Sequence, residues 1–147
     1  MKEILPPDVS ILATHPMFGP DSASDSLKDR KIVVCNVRMD DSFYQKVIKY
    51  LASKKLVIIE TTPDEHDKQI AVSLALTHFI GRSLSEFGAL PQLIDTEGYK
   101  RLLHILEVVD HDTWQLFLDM NHYNPYARKQ RVAFMKAMQS IEEKMNQ

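Results

Sequence analysis

Glycine is scarce in this chain, with four in 147 residues. No G-x-G-x-x-G run exists among them, so the strand-turn-helix cradle that holds a dinucleotide is excluded within this sequence. Cysteine is scarcer still. A lone Cys35 excludes an intrachain disulfide. Following Ile32-Val33-Val34, it reads as a small core residue rather than a nucleophile. With no signal peptide in view, a reducing, cytoplasmic setting is expected. Neither sign of charge dominates: 18 Lys and Arg stand against 20 Asp and Glu, a net charge of -2. That speaks against a nucleic-acid binder, which carries a basic excess. The richest basic stretch, Arg128-Lys129-Gln130-Arg131, reads as the solvated face of a helix. No apolar run approaches the ~20 residues that cross a bilayer. Six scattered histidines and one cysteine offer no metal-ligand spacing. No internal repeat and no low-complexity segment is present.

What is there is 44% hydrophobic, enough for a real core. The length suits one domain, or a small domain plus a fragment of another. The first third reads as α/β. Strands are expected at Val9 to Ala13, Lys31 to Asn36 and Leu56 to Ile59. A helix is expected at Asp41 to Ser53, with Phe43, Val47, Ile48 and Leu51 on one face. The apolar runs are continuous, which suits strands buried on both faces of a largely parallel sheet. Three strands and one helix make a poor independent domain and look like the closing edge of a larger doubly wound sheet. Such a remnant leaves an open sheet edge.

From Thr62 onward the pattern is helical. Thr62-Pro63-Asp64-Glu65 is a capping box with proline in the first turn, a start that contributes about 1 kcal/mol. The helix should run to about Phe87, before Gly88. Its apolar positions (Ile70, Ala71, Leu74, Leu76, Phe79, Ile80, Leu84) surround the cylinder, so burial on most sides is expected, here or against a second subunit. Further helices are expected at Tyr99 to Val109, at Asp112 to about His122, and from Asn124-Pro125 onward. The last shows a stripe of Phe134, Met138, Ile141 and Met145. So many apolar faces predict a homodimer.

The residues that could carry chemistry begin at Thr14-His15-Pro16-Met17-Phe18-Gly19-Pro20. A strand delivers His15, and a proline and a glycine then open a loop. The carboxyl end of a strand is where open α/β sheets place their chemistry. A neutral imidazole there can accept a proton from a hydroxyl, or merely hydrogen-bond its loop. His66 and Asp67 fall in the first turn of the long helix. Asp67 suits the positive helix end, an effect of roughly 0.3–1 kcal/mol. His66 is either a cap or a pocket wall. His78 and Arg82, four apart with Gly81 between them, share a helix face. The pair either binds a carboxylate, which a guanidinium grips bidentately, or is a buried histidine beside a snorkelling arginine. Trp114, in a helix with Phe117, reads by default as core. Asn121 and Asn124 flank a helix junction, and capping accounts for Asn124.

Together these residues resemble the prephenate/arogenate dehydrogenase family of tyrosine biosynthesis, and its plant-like and cyanobacterial-like arogenate branch in particular. The motifs are THPMFGP at 14–20, EHDKQIA at 65–71, THFIGR at 77–82, DTEGYKRLL at 95–103, and the Trp114, Asn121, Asn124 junction. They stand in the family's order. The resemblance implies a mostly α chain with a small α/β N-terminal remnant. Residues 1–61 would be the end of a Rossmann-type nucleotide-binding domain, and 62–147 a helical dimerisation and substrate-binding domain. It implies oxidative decarboxylation of prephenate or arogenate with NAD(P)+. His15 matches the catalytic histidine that hydrogen-bonds the ring hydroxyl. His78, Arg82, His66, Asp67, Trp114 and Asn121 match substrate-binding positions, and Pro16, Met17 and Gly19 lie where the cofactor would pass. No metal is implied.

The chain departs from the family in its missing glycine fingerprint and in lacking the upstream serine that assists the catalytic histidine. The arginine that many bacterial members carry before the tryptophan is out of register, with His104 or Ile105 in its place and Arg101 nearby. No regulatory domain is expected after Gln147. The chain alone is expected to be inactive, its cofactor half removed or supplied by a separate nucleotide-binding chain. The competing reading is a non-catalytic dimeric helical module that binds an aromatic-pathway metabolite or serves only in assembly.

Overall fold

The computed structural model describes residues 3–19 and 21–146; Met1, Lys2, Gln147 and Pro20 of the THPMFGP motif lie outside the described residues. The chain forms two compact units, Met1–His66 and Asp67–Gln147. The mostly helical composition with one small sheet is as expected.

In the first unit, β1 (Ile11–Pro16), β2 (Lys31–Arg38) and β3 (Val57–Glu60) form a sheet in that order. A helix, α1 (Asp41–Ser53), connects β2 to β3. That βαβ unit is parallel, as expected. β1 is not: it runs antiparallel to β2, so the sheet is mixed rather than largely parallel. The cause lies in the connection. Residues 17–30 hold a 3-10 turn at Asp21–Ala23 and, among those described, no crossover helix of the kind that returns a strand in parallel. β1 also extends past the expected Ala13 and takes in His15 and Pro16. Proline is tolerated because β1 is an edge strand.

Only central β2 is buried on both faces, with Ile32, Val33, Val34 and Cys35 all inside. Cys35 is the core residue its sequence setting predicts. Ile32 and Val34 pack with Tyr44 of α1, and Leu12, Ile48 and Leu51 close around them. Tyr44, Ile48 and Leu51 recur at helical spacing, so the buried face of α1 centres on Tyr44. Phe43, expected on that face, is 52% exposed. Tyr44 donates its hydroxyl to Glu60 at 2.6 Å, tying α1 to the end of β3.

The second element pattern starts at α2 (Pro63–Ile70), whose Thr62 hydroxyl accepts the Glu65 N–H at 3.2 Å. A π-helical segment, Ala71–Ala75, follows, and then α3 (Leu76–Phe87). The π turn was not foreseen; such segments cluster at functional sites. Gly88 ends α3 in the left-handed region at φ 78°, as the glycine predicts. α4 (Glu97–Asp110), α5 (Trp114–His122) and α6 (Ala127–Met145) complete the unit. Thr96 and Thr113 cap α4 and α5 through their hydroxyls.

Within the chain the long helix is not buried on most sides, so the expected burial would have to come from a second subunit. Its buried stripe is Ala71, Ala75, His78 and Gly81, all small except the histidine. Small residues let α4 come close: a Cβ on Gly81 would sit 2.6 Å from Val109 Cγ2 and 3.0 Å from the Ile105 carbonyl. The large residues Phe79, Ile80, Leu84 and Phe87 instead line a groove of about 490 Å³ together with Leu102 and Met138. α6 begins later than the Asn124-Pro125 expectation, but Asn124 Oδ1 still accepts the Tyr126 N–H at 2.9 Å. Capping does not account for Asn124 fully, because its Nδ2 also donates to the Asp67 carbonyl at 2.8 Å. No helix among the described residues is long and apolar enough to cross a membrane.

Candidate functional site

Each unit holds one cluster of the expected site residues. In the first, the register of β1 against β2 sets His15 opposite Val33. Ile32 and Val34 face α1, so the pleat puts Val33 and His15 on the other face. The first turns of α2 supply His66. Nδ1 of His15 lies 2.8 Å from Nε2 of His66, with ring centroids 5.1 Å apart and planes at 66°. One ring donates and the other accepts. Burial pushes the pKa of His15 below the ordinary 6.5, and His66 lowers it further. His15 is therefore a neutral imidazole at pH 7, able to accept a proton.

Asp67 lies past the first turn of α2, where Asp64 and Glu65 hold the places that a helix dipole rewards. The dipole rationale expected for Asp67 therefore passes to those two residues.

In the second unit, His78 is 4% exposed and its Nε2 lies 3.6 Å from Asp112 Oδ2. That is too long for a hydrogen bond. Burial lowers the pKa of His78, Asp112 pulls it back up, and Arg82 lowers it. The net shift is downward, so the contact is between a carboxylate and a neutral ring. Arg82 donates through Nη2 to the Asp112 carbonyl. Its Cζ lies 5.9 Å from the centre of the Trp114 ring. Among the described residues, His78 Nδ1 and Arg82 Nε are buried without a hydrogen-bond partner. Asp112 thus sets its carboxylate near His78 and its backbone carbonyl on Arg82, and two polar atoms stay unmatched. Asp112 was not singled out in the sequence. Its only local signal is a place two residues before Trp114.

Trp114 is 60% exposed, which overturns its default reading as core. It packs at 5.0 Å on Phe117, and Phe117 is the buried member. Asn121 is buried, and its amide is engaged at both ends. Nδ2 donates to the Phe117 carbonyl at 2.7 Å, and Oδ1 accepts from Arg131 Nη1. Asn121 thus braces α5 against α6, and Arg131 is not merely part of a solvated face.

The residues proposed along a cofactor path form a self-contained turn. The Met17 N–H donates to the Lys31 carbonyl at 2.9 Å. The Gly19 N–H donates to Ser22 Oγ at 3.0 Å, and a Cβ on Gly19 would meet open space. Pro16, in β1, is exposed. The start of α1 is the one helix terminus of the βαβ unit, and it does not fit a pyrophosphate. Asp40 Oδ1 already accepts the N–H groups of Ser42 at 2.9 Å and Phe43 at 3.2 Å, and Asp41 adds a second negative charge. The described residues offer a dinucleotide no phosphate cradle. No group of residues among them is suited to a metal ion.

With this geometry in view, the comparisons with known proteins fall together. The model of the TYRAAT1-like, C-terminal domain matches residues 83–147. Arogenate dehydrogenase 2, chloroplastic, of Arabidopsis thaliana is 32% identical over 96% of this chain. Arogenate dehydrogenase 1, chloroplastic, of the same plant is 35% identical over 95% of it. The chain is similar in sequence to arogenate dehydrogenases along nearly all of its length. It spans 41% and 22% of the lengths of those two relatives. Among solved structures, the prephenate dehydrogenase from A. aeolicus, crystallised with hydroxyphenyl propionate and NAD+, aligns with a TM-score of 0.63. That match covers 90% of this chain and 50% of the other at 18% identity, and so bears on the fold. The likeness to dehydrogenases thus covers the β-rich and the helical unit alike.

Proposed function

We propose that this chain is the C-terminal part of a prephenate/arogenate dehydrogenase acting in tyrosine biosynthesis, which oxidatively decarboxylates its substrate with NAD(P)+ as acceptor. Residues 1–61 are read as the closing part of the nucleotide-binding domain and 62–147 as the helical dimerisation and substrate-binding domain. The observation that carries the reading is His15. It is a neutral imidazole on an edge strand, held by a second imidazole, in a chain 32% identical to an arogenate dehydrogenase over 96% of its length. His15 accepts the proton of the substrate's ring hydroxyl. Arg82, with two polar atoms of its cluster unmatched, takes a substrate carboxylate, and His78 and Trp114 bound that contact. The phosphates of the cofactor are held by residues other than these, since the start of α1 is filled by Asp40. The isolated chain is therefore inactive.

Calorimetric titration of the purified chain with prephenate, arogenate and tyrosine tests this. Saturable binding of one of them is expected, weakened about tenfold or more in Arg82→Ala, as for a lost hydrogen bond to a charged group. Binding that is indifferent to Arg82→Ala would overturn the assignment, as would no binding by any of the three.

The helical unit is a homodimer in this reading. Met138, Ile141 and Met145 of α6 and Phe87 of α3 are all exposed, more apolar surface than a monomer leaves to water. Sedimentation that finds only monomer at micromolar concentration would contradict it.

A further inference from the structure

A neutral histidine is basic at only one of its two ring nitrogens. For His15 to take a proton at Nε2, its own ring proton must sit on Nδ1. An isolated imidazole side chain favours the opposite tautomer, so something in the fold must select the useful one. We infer that His66 is a positioning residue for His15, which accepts a hydrogen bond from Nδ1–H and so leaves the lone pair on Nε2. The catalytic meaning of this rests on the function proposed above; the hydrogen bond does not.

The geometry is built from regular structure at both ends. His15 is pinned by six cross-strand pairs between β1 and β2. His66 is pinned by α2, where its N–H donates to the Thr62 carbonyl at 2.9 Å. The two nitrogens meet at 2.8 Å across 51 residues of sequence. The partner is chemically apt. A hydroxyl both donates and accepts, so it tolerates either tautomer. A carboxylate would fix the tautomer but raise the pKa of His15. An imidazole whose own proton sits on Nδ1 accepts at Nε2 and selects it without adding negative charge. The charged neighbours of His66 on its own helix are Asp64, Glu65, Asp67 and Lys68, and across the strands His15 faces apolar Val33.

The proton count closes. The hydroxyl proton goes to Nε2 of His15, which becomes an imidazolium. Its Nδ1–H bond to His66 is then charge-assisted and stronger. One positive charge is held by the pair, and no other reactant is needed.

The test is imidazole nitrogen NMR on the uniformly 15N-labelled chain, comparing wild type, His66→Ala and His66→Gln. The wild type should show His15 with its proton on Nδ1. His66→Ala should move the tautomer ratio about tenfold toward Nε2–H, the factor expected for one hydrogen bond of ordinary net strength. His66→Gln, whose amide oxygen can accept the same bond, should restore Nδ1–H. An Nε2–H tautomer in the wild type would overturn the inference, as would a ratio unchanged in both variants. Amide spectra of the variants report folding separately, and His66→Gln decides the matter where His66→Ala unfolds. No substrate enters the experiment. A locked tautomer beside failed calorimetry would therefore sink the proposed function and leave the pair standing, and the reverse holds equally.

Discussion

His15 and His78 are both histidines whose pKa burial lowers, yet their surroundings treat them differently. The neighbour of His15 is another imidazole, and it pushes in the same direction as burial. Around His78 two neighbours oppose each other, Asp112 raising its pKa and Arg82 lowering it. His15 sits at the edge of a sheet, half-buried, with a partner that can exchange a proton with it. His78 sits in the interior stripe of a helix whose close packing on α4 leaves no slack. One is arranged to change protonation state and the other to keep a fixed place. In the proposed function, that division makes His15 the base and His78 a wall of the substrate site.

The strongest way to break the comparison is to disturb the packing that fixes His78. Gly81 lies one turn from it, and an added methyl would meet Val109 at 2.6 Å and the Ile105 carbonyl at 3.0 Å. Val109 is itself 1% exposed, so it cannot swing aside. Gly81→Ala should destabilise the helical unit by about 1–3 kcal/mol, the range for overpacking a filled interior. Denaturant unfolding measures it. The tautomer and titration of His15, followed by NMR below the transition, should stay unchanged. A neutral or stabilising Gly81→Ala would mean that α3 and α4 have room to part and that His78 is not rigidly placed.

What could be read from the sequence follows the range of the signal. The bounds of α1 coincide with the expected Asp41 to Ser53, and Thr62, Gly88 and the helical spacing of Leu102, Leu103 and Leu106 place α2 to α4. Those signals are local: caps, a glycine, a period. The direction of β1 was not local. A continuous apolar run looks the same in a parallel and an antiparallel strand, and only the missing crossover helix in 17–30 would have betrayed it. The π segment at Ala71–Ala75 has no local signal, since neither a cap, a glycine nor a period marks it. His15 and Arg82 were legible as candidates from residue type and position. Their partners His66 and Asp112 were not legible as partners, because pairs separated by 51 and 30 residues meet only once the elements have packed. Trp114 misled for the opposite reason. Its composition says core, and only tertiary context leaves it beside Arg82 and open to water.

The finest test of the comparison is electrostatic, and its sign is worked out from the neighbours. Removing a neighbour that lowers a pKa must raise it, and removing one that raises it must lower it. His66→Ala should therefore move the His15 titration up toward 6.5, while Asp112→Ala should move that of His78 further down. The backbone carbonyl that holds Arg82 survives in Asp112→Ala, so the direct stability cost should be small, within about 1 kcal/mol. Stability follows the same logic. Both histidines bind protons less readily folded than unfolded, so their contribution is complete above pH 6.5 and declines as pH falls from 6.5 toward the lowered folded values. In Asp112→Ala the decline should continue to lower pH than in the wild type, because the folded His78 refuses its proton for longer. Unfolding free energies at pH 7.5, 6.5 and 5.5, read beside NMR titrations of the two rings, distinguish the cases. Shifts of the same sign in both variants would mean that the two histidines share one electrostatic environment and that the division of labour drawn between them does not exist.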